Sequence, residues 1–484
     1  WLIWFKHVPY VKNKMTADLN HAANRELSKM NLEVVILAAG KGTRMKSDLP
    51  KVLHRVAGIP MLEHVVKTAQ FLNPDKVHIV VGHGSEEVQE ALSQYSINWV
   101  LQKEQKGTGH AVLQVVPELD LNSVVLVMYG DVPLIESQTL ESLINKAKFA
   151  PALLTAVLED SHGYGRILRD EAGVLLGVVE EKDANETQRT IREINTGVLA
   201  APAADLSEYL PLVKNENTQG EYYLPDILGL AAMAGKTIQS AVATSELEIL
   251  GVNDRVQLNQ VEREYQRKSA ERLMRAGTSI ADSNRIDVRG SLECEEDVSI
   301  DVNVVFEGNV VLGRGVTIGA NCVLIDTVVG DGATIHPMSH LQDAVVGKNC
   351  SVGPYARLRL GTVLADGARI GNFVETKKAN IGVGSKVNHL SYIGDCEMGA
   401  GVNVGAGTIT CNYDGANKHL TELGDGVFIG SNSTLVAPIK IAENGFTAAG
   451  STITKAVGKD ELAVTRPKQR NVTGWQRPSK NNKG

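Results

Sequence analysis

The stretch from Leu37 to Leu53, L-A-A-G-K-G-T-R-M-K-S-D-L-P-K-V-L, brings closely spaced glycines together with cations. It lacks the P-loop spacing G-x-x-x-x-G-K-[ST], and Met45 stands where a dinucleotide-binding loop would have its third glycine. What remains is a strand, then small residues, then the cations Arg44 and Lys51. Small residues let backbone N–H groups approach an oxyanion, and cations complement phosphate charge. By itself the stretch favours phosphate binding over an ordinary strand-to-helix turn.

Two other polar positions could carry chemistry. Asp131 ends the stretch V-V-L-V-M-Y-G-D, where a carboxylate would meet the ligand edge of a parallel sheet. Taken alone, such a residue is more often a turn or helix-cap aspartate. His389 lies between the polar segments 371–378 and 403–415, and acyl transfer to an amine requires a base that titrates near neutral pH. A lone histidine there is more often a surface residue, so its role depends on the motifs around it.

The first half of the chain alternates short apolar runs with amphipathic stretches, from Met30 to about Asn253. Buried strands are predicted at 34–37, 77–81, 124–128 and 152–158, with helices at 86–95 and 137–148 between them. This alternation predicts an α/β domain with a mainly parallel sheet, whose ligands sit at the carboxyl ends of the strands. The charged stretch 253–276, without proline or internal glycine, predicts a connecting helix.

The second half has a six-residue period. Apolar residues recur in two columns: Val298, Val304, Val310, Val316 and Cys322, and Ile300, Phe306, Leu312, Ile318 and Leu324. Such a period with regularly placed glycines predicts a parallel β-helix, and chance spacing does not keep two columns in phase over five hexads. The period fails around 411–418 and resumes at Leu423, so an insertion should project outward there.

Bulk composition excludes several classes of protein. A chain of 484 residues predicts two or three domains, and the net charge of -7 gives no support to nucleic-acid binding. No apolar run approaches the roughly 20 residues of a membrane helix. The five cysteines, none with metal-ligand spacing, indicate a reduced cytoplasmic protein. Residues 1–29 lack the features of a secretory signal, and we expect this extension to lie outside the functional fold.

The motifs of the first half resemble those of a known family. L-A-A-G-K-G-T-R-M-x-S-D-L-P-K is similar to the signature of sugar-nucleotide pyrophosphorylases, which join a nucleoside triphosphate to a sugar 1-phosphate. Further matching motifs are G-T-G-H (107–110), Y-G-D-V-P-L (129–134), G-Y-G-R-I (163–167), E-I-N-T-G (193–197) and G-V-N (251–253). With the β-helix, the chain from about Met30 to Arg477 resembles the bacterial bifunctional UDP-N-acetylglucosamine pyrophosphorylases and glucosamine-1-phosphate N-acetyltransferases.

The resemblance implies a specific domain organisation. A Rossmann-like nucleotidyltransferase domain would span 30–255 and a linker helix 256–276. A left-handed parallel β-helix of hexapeptide repeats would carry acetyl transfer over 277–484, ending in a basic tail. The resemblance also implies a homotrimer, because the sites of such β-helix acyltransferases are built between subunits.

In the first domain the resemblance implies a UTP and UDP-N-acetylglucosamine site. Its residues would be Leu37, Ala38, Ala39, Gly40, Lys51, Gln102, Gly107, Thr108, Tyr129, Gly130, Asp131, Gly165, Glu180, Asn195 and Asn253. Lys51 would face the phosphates, while Asp131 and Asn253 would hold Mg²⁺, which prefers oxygen ligands and keeps several waters. Charge neutralisation and in-line positioning should dominate catalysis, because attack on the α-phosphorus brings two anions together.

In the β-helix the resemblance makes His389 the proton acceptor. Glucosamine 1-phosphate would be bound by Arg359, Lys377, Tyr392 and Asn403, and acetyl-CoA by Ala406, Asn412, Tyr413, Ser431, Ala449 and Arg466. The family usually has a proline where this chain has Leu360, which leaves the local turn in question.

The implied function is synthesis of UDP-N-acetylglucosamine, a precursor of peptidoglycan and lipopolysaccharide, in two steps. Acetyl-CoA would acetylate glucosamine 1-phosphate, and UTP would then uridylylate N-acetylglucosamine 1-phosphate with release of pyrophosphate. A second hypothesis keeps the uridyl transfer and makes the β-helix only an oligomerisation or regulatory module. It requires the polar cluster at 389–413 to be incidental. A third, a P-loop kinase or NTPase, is disfavoured by the failed spacing.

Overall fold

The computed structural model describes residues 31–477, so the extension expected at 1–29 lies outside the described residues. The chain divides into two compact units, and the division falls between Tyr265 and Gln266. That point lies within the helix Arg255–Arg275, in the charged stretch where a connecting helix was predicted. Between residues 31 and 477, no helix is long and apolar enough to cross a membrane.

The first unit contains a nine-stranded sheet rich in Val, Leu, Ile and Ala. Seven strands form its main path, in the order Gln239–Val242, Ala152–Val157, Glu193–Pro202, Val124–Tyr129, Leu32–Ala38, Lys76–Val81 and Asn98–Leu101. Arg166–Arg169 pairs with Glu193–Pro202 and with Leu175–Val179. All four predicted strands are present. Pairing along the main path is parallel except at Glu193–Pro202, which runs antiparallel to both neighbours.

Helices and short turns connect these strands. The α-helices of the first unit are Met61–Phe71, Ser85–Ala91, Thr108–Leu113, Ser137–Lys146, Glu186–Arg189, Ala203–Tyr209 and Asp226–Met233. Single 3₁₀ turns occur at Thr43–Met45, Lys51–Leu53, Val116–Glu118, Leu210–Leu212 and Leu247–Ile249, and a small hairpin pairs Arg55–Val56 with Ile59–Pro60. The helix predicted at 86–95 ends early, at Ala91. Serines at 93 and 96 favour the turn that follows, because their side chains compete for backbone hydrogen bonds.

The second unit is a parallel β-helix with three short strands in each coil. One face is an eleven-stranded sheet: Ser279–Ile280, Ser299–Ile300, Thr317–Ile318, Thr334–Ile335, Ser351–Val352, Arg369–Asn372, Lys386–His389, Asn403–Val404, Phe428–Ile429, Phe446–Thr447 and Leu462–Ala463. A fifteen-stranded sheet forms the other two faces, because long strands such as Val304–Leu312 continue past a corner.

The strands of the fifteen-stranded sheet follow the same six-residue period. They are Ile286–Cys294, Val304–Leu312, Val323–Ile325, Val328–Val329, His340–Gln342, Ala344–Val346, Arg357–Leu358, Thr362–Leu364, Glu375–Ile381, Tyr392–Met398, Ile409–Cys411, Thr421–Leu423, Thr434–Val436, Ile439–Ile441 and Thr452–Ile453. None of the ten residues in the two predicted columns is more than 1% exposed, because side chains of a strand alternate between inside and outside. The hexapeptide prediction is confirmed.

The predicted insertion leaves the stack where the period failed. Ala379 pairs with Cys396, 17 residues further on, whereas Cys396 pairs with Thr421, 25 residues further on. The extra residues form an exposed loop closed by a bridge between Tyr413 and Lys418.

One corner of the coils holds a stacked column of residues with positive φ. Asparagine or glycine, which tolerate this conformation, occupies the column at Asn303, Asn321, Gly407, Asn432 and Gly450. Four consecutive coils between them instead carry large apolar residues: Met338, Tyr355, Phe373 and Leu390. All four are exposed, and the rings of Tyr355 and Phe373 stack with centroids 5.3 Å apart. We call these four residues the apolar corner.

Candidate functional sites

The glycine-rich stretch and Asp131 lie at the same edge of the first sheet. Leu37 and Tyr129 are register partners on adjacent parallel strands, and the Gly130 N–H donates to the Leu37 carbonyl at 2.9 Å. Because both strands end here, the small residues after Leu37 and the carboxylate of Asp131 face one space. Gly42 has φ +59°, and a Cβ there would lie 2.6 Å from the Lys51 Cβ, so the loop packs directly on Lys51.

Lys51 connects Asp131 and Asn253. Its Nζ forms an ion pair with the Asp131 carboxylate and lies 3.3 Å from Asn253 Oδ1, which also accepts from Arg44 Nη2 at 2.9 Å. The Val252 N–H donates to the Asp131 carbonyl at 2.9 Å, which ties the two segments together. The sequence stretch thus brings two cations to the two predicted metal ligands.

The oxygen atoms beside Lys51 suit a hard cation that takes few of its ligands from the protein. Asp131 offers a carboxylate and Asn253 an amide oxygen, and the Lys51 ammonium already contacts both oxygens. Among residues 31–477 no group of three or more His, Cys, Asp or Glu could form a complete metal cage. Mg²⁺ suits such a site, because it commonly takes one or two ligands from the protein and its remaining ligands from water and phosphate.

A second group of predicted residues forms a pocket beside that edge. Gln102 follows the strand Asn98–Leu101, is buried, and donates from Nε2 to the Gly107 carbonyl at 3.2 Å. Gly107 has φ +105°, and a Cβ would meet the Tyr222 carbonyl oxygen at 2.6 Å. Thr108 accepts from the Leu224 N–H at 3.0 Å through Oγ1. The segment around Tyr222 therefore closes this pocket, a contact that the sequence motifs did not indicate.

The three residues predicted for the sugar end are also brought together. The Asn195 N–H donates to the Gly165 carbonyl at 2.8 Å, and a Cβ on Gly165 would lie 2.9 Å from Glu180 Oε1. Burial raises the pKa of Glu180, while a hydrogen bond from Asn195 opposes the shift. The Tyr129 ring lies against Gly197, where a Cβ would come within 2.6 Å of it, and thus joins this pocket to the sheet edge.

Two carboxylates that were not predicted lie beside Glu180. Burial raises the pKa of Asp226 to about 6, and the nearby Asp183 carboxylate adds to the shift. Asp226 begins the helix Asp226–Met233 and is an exposed residue. Both Asp183 and Asp226 also raise the pKa of Glu180. Only the motif E-Y-Y-L-P-D, at 221–226, could have drawn attention to Asp226 in the sequence.

In the β-helix, a cluster of cations forms on one outward face. Arg359 and Lys377 belong to consecutive coils, and Arg359 Nη1 binds Glu375 Oε1 at 2.7 Å. Tyr392 is the register partner of Glu375 on the next coil. The ammonium of Lys418, from the projecting loop, lies beside Lys377 and lowers its pKa, and Arg359 adds to the effect. Lys418 was missed because the loop folds back from a distant position in the sequence.

His389 begins a row of predicted residues along the apolar-corner edge. The Gly407 N–H donates to the His389 carbonyl at 3.3 Å, and the Asn432 N–H donates to the Ala406 carbonyl at 2.6 Å. Two further coils continue the row with Ser431 and Ala449: the Gly450 N–H donates to the Ser431 carbonyl at 2.8 Å, and Arg466 Nη1 donates to the Ala449 carbonyl at 2.8 Å. Four of the residues predicted for acetyl-CoA therefore follow His389 along one edge.

Other predicted residues lie apart from these groups within one chain. Asn403 is in the eleven-stranded sheet, paired with Lys386, whereas Lys377 and Tyr392 belong to the other sheet and Arg359 directly follows its strand Arg357–Leu358. Asn412 and Tyr413 follow the strand Ile409–Cys411, and the buried Asn412 amide binds the Asp395 carboxylate at a different corner. One chain thus presents these site residues as separate groups.

The turn after Arg359, where the family usually has a proline, also forms with Leu360 at that position. The Thr362 N–H donates to the Arg359 carbonyl at 3.2 Å, and Gly361 takes φ +74°. Leu360 is exposed, and its carbonyl accepts from the Lys378 N–H at 3.1 Å.

Comparison with known proteins agrees with both units. A family profile described as the MobA-like NTP transferase domain matches residues 34–196, and one described as the GMPPB C-terminal domain matches residues 288–381. The chain is 56% identical over 450 residues to the bifunctional protein GlmU of Marinobacter nauticus, which covers 93% of this chain and 99% of that protein. The chain belongs to the bifunctional GlmU family.

Two further members of the GlmU family match over a similar length. The protein of Alkalilimnicola ehrlichii is 53% identical, covering 92% of this chain and 96% of its own length. That of Pseudomonas putida is 52% identical, covering 94% and 100%. The predicted family and fold class are confirmed. The chain is a bifunctional transferase of UDP-N-acetylglucosamine synthesis, with nucleotidyltransferase and acetyltransferase activities, and acts in cell-wall biogenesis.

The raised pKa of Asp226 predicts a pH-dependent change in stability for Asp226→Asn. Because the pKa rises on folding from 3.8 to about 6, ionisation opposes folding at higher pH. The asparagine variant should gain stability over this pH range and keep it above pH 6. We expect the free energy of unfolding to rise by about 1 kcal/mol at pH 8, after allowing for solvent screening and for the lost interaction with the helix N-terminus. Calorimetry of the first-unit transition at pH 4 and pH 8 measures the gain.

Asp120→Asn is the matched control, because the pKa of Asp120 is lowered on folding whereas that of Asp226 is raised. Hydrogen bonds from the Asn122 backbone and from Asn31 lower the pKa of Asp120, so its replacement should not stabilise the protein at pH 8. A loss of stability in Asp226→Asn at pH 8 would contradict the account.

Proposed function

We propose that each unit carries out one of the two steps through the residues that its motifs indicate. The β-helix acetylates glucosamine 1-phosphate, and the α/β unit then transfers uridylate from UTP to the product. The observation that carries this proposal is that each unit has its own cationic group, one around Lys51 and one around Lys377, each beside the residues its chemistry needs.

In uridyl transfer the sheet edge would hold the triphosphate. Backbone N–H groups of the small residues after Leu37 approach phosphate oxygens, while Lys51 and Arg44 supply positive charge. Asp131 and Asn253 would hold Mg²⁺, which supplies charge neutralisation for the phosphates when bound. Gln102, Gly107 and Thr108 would bind the uridine side, with the backbone segment at Tyr222 closing the pocket.

The sugar end of that site would be bound by Glu180, Asn195 and the Gly165 backbone. Glycine at 165 leaves room beside the Glu180 carboxylate, which can then accept hydrogen bonds from sugar hydroxyls. Burial of Glu180 strengthens such bonds, because fewer waters compete for its oxygens. This arrangement would put the sugar phosphate between the sugar pocket and the cations, as in-line attack on UTP requires.

In acetyl transfer His389 would take the proton from the attacking amine. The cations Arg359, Lys377 and Lys418 would bind the dianionic phosphate of glucosamine 1-phosphate, with Tyr392 beside them. Two neighbouring ammonium groups repel each other when the site is empty, but both attract a bound phosphate dianion. The row from Ala406 to Ala449 would hold acetyl-CoA along its edge, with Arg466 toward its phosphates.

A homotrimer would complete the acetyl-transfer site. Within one chain Asn403 is on a different sheet from Lys377, and Asn412 is at a different corner from Ser431. A second copy could bring these groups together across an interface. The exposed apolar corner, immediately beside His389, supports such an interface, because these large apolar residues stand at unfavourable positive φ and remain largely exposed to water in an isolated chain. The enzyme would act in the cytoplasm, because its five cysteines are all unpaired.

The metal assignment predicts the effect of Asp131→Asn. Loss of the carboxylate should reduce uridyl transfer from UTP to N-acetylglucosamine 1-phosphate by about 10²–10³-fold, because it removes charge that holds both Mg²⁺ and Lys51. Pyrophosphate release at saturating Mg²⁺ measures it. Acetyl transfer by the same variant is the control and should be unchanged, because Asp131 lies in the other unit. Near-normal pyrophosphate release would rule out Asp131 as a metal ligand.

The general-base assignment predicts the effect of His389→Ala. Acetyl transfer should fall by about 10²–10⁴-fold, since the amine proton then has no acceptor. Thiol release from acetyl-CoA measures this step, and pyrophosphate release with supplied N-acetylglucosamine 1-phosphate is the control. An acetyl-transfer rate close to that of the unsubstituted protein would show that His389 is not the base.

The proposed interface predicts the effect of Tyr355→Asn combined with Phe373→Asn. Asparagine suits positive φ, so the fold of each chain should be retained while the apolar contact between copies is lost. Sedimentation velocity should show a trimer for the unsubstituted protein and smaller species for the variant. Phe149→Asn, which replaces an exposed apolar residue in the first unit, is the control and should remain trimeric. A monomeric unsubstituted protein, or an unaltered trimer in the double variant, would contradict the interface.

A further inference from the structure

We propose that Asn372 is a positioning residue for His389: its side-chain oxygen accepts the hydrogen on Nδ1 and thereby leaves Nε2 as the proton acceptor. The proposal rests on the role of His389 proposed above. The relevant contact joins two consecutive coils, with His389 Nδ1 at 3.0 Å from Asn372 Oδ1.

The chemistry of the contact selects one form of the imidazole. An amide oxygen has no hydrogen to donate, so Nδ1 must carry the proton, and the lone pair of a neutral imidazole is then on Nε2. Nε2 has no hydrogen-bond partner among the residues that the structure describes. Asn372 therefore leaves the nitrogen that faces away from it free to accept a proton.

The fold fixes both members of the pair. Asn372 and His389 are register partners at the ends of the strands Arg369–Asn372 and Lys386–His389. The Leu390 N–H donates to the Asn372 carbonyl at 3.1 Å, and Ser391 Oγ donates to the His389 carbonyl at 2.8 Å. A Cβ on the preceding Gly371 would overlap the Asn388 carbonyl oxygen, so only glycine allows these two strands to approach so closely.

The pair has a defined task in the acyl-transfer step. As the glucosamine nitrogen forms its bond to the thioester carbonyl carbon, its proton moves to His389 Nε2. Collapse of the tetrahedral intermediate breaks the carbon–sulfur bond, and the leaving thiolate of coenzyme A takes the proton back from His389 Nε2, which returns the imidazole to its neutral form. While the imidazole is positively charged, its Nδ1–H continues to donate to Asn372 Oδ1, and this bond strengthens because the donor is charged. Asn372 touches neither substrate in this account and acts only through His389.

The opposite amide orientation would have the opposite consequence. If the Asn372 NH₂ group donated to Nδ1, the proton would lie on Nε2, and the neutral ring could not accept a proton on that side. The structure assigns oxygen to the contact, and this assignment can be measured directly.

Three variants test the proposal on the full-length protein. Asn372→Ala should lower kcat for acetyl transfer by about 10- to 100-fold, part of what a general base contributes, with little change in KM for glucosamine 1-phosphate. Asn372→Asp keeps an acceptor at the same place and should retain more activity, with the acidic limb of the kcat profile shifted to higher pH by the added negative charge. Asn380→Ala is the matched control, because Asn380 also joins two coils, through Glu397 at 2.7 Å, but lies away from His389.

Nitrogen-15 NMR of the imidazole reports the tautomer without any assay of activity. In the unsubstituted protein the neutral His389 ring should be protonated on Nδ1, and Asn372→Ala should give a mixture of the two tautomers. Uridyl transfer should be unchanged in all three variants, because Asn372 and Asn380 lie in the other unit, and an unchanged KM for glucosamine 1-phosphate shows that the β-helix folds.

Three results would overturn the proposal. They are unchanged acetyl-transfer kcat in Asn372→Ala, an equal loss in Asn380→Ala, or protonation of Nε2 in the neutral ring of the unsubstituted protein. These differ from failure of the proposed function itself, which would appear as acetyl transfer that persists in His389→Ala.

Discussion

Parallel pairing of strands in fixed register is the constraint on which both units depend. In the first unit it brings the ends of neighbouring strands to one edge, so the loop after Leu37 and the carboxylate of Asp131 meet although they are far apart in the chain. In the β-helix it makes residues about one coil apart into neighbours, as with Asn372 and His389. A shift in register by one residue would turn each of these side chains to the other face of its strand. Function therefore depends on hydrogen bonds of the backbone that themselves touch no substrate.

The second common feature is charge arranged for anions. Lys51 and Arg44 converge on Asp131 and Asn253, whose oxygens balance positive charge and could equally hold a metal ion. Lys377 and Lys418 instead lie beside each other, with Arg359 near Lys377 and bound to Glu375. The first arrangement suits a triphosphate that carries its own cation, and the second suits a phosphate monoester that does not. Each unit thus matches the charge of the substrate proposed for it.

Sequence patterns predicted what depends on local periodicity. The apolar runs predicted four of the nine strands of the first sheet, and the six-residue columns predicted the β-helix strands and their buried side, because burial imposes the period directly on the residues. The antiparallel strand Glu193–Pro202 was missed, since strand direction depends on distant partners. For the same reason the motifs did not indicate Lys418 beside Lys377 or Asp226 beside Glu180. The residue roles in both sites came from the family's motifs and remain predictions, and the separation of Asn403 from Lys377 could not be read from a motif. Asn372 could have been found by counting one coil length of 17 residues back from His389.

The central claim is that two chemistries proceed in order on one chain, acetyl transfer before uridyl transfer. The most direct measurement supplies the protein with glucosamine 1-phosphate, UTP and Mg²⁺, with or without acetyl-CoA, and follows free thiol and pyrophosphate together. The account predicts thiol release as soon as acetyl-CoA is added to this mixture, and pyrophosphate release only after that addition, with a lag behind the thiol. Rapid pyrophosphate release from glucosamine 1-phosphate without acetyl-CoA, or release of the γ-phosphate of UTP, would contradict it.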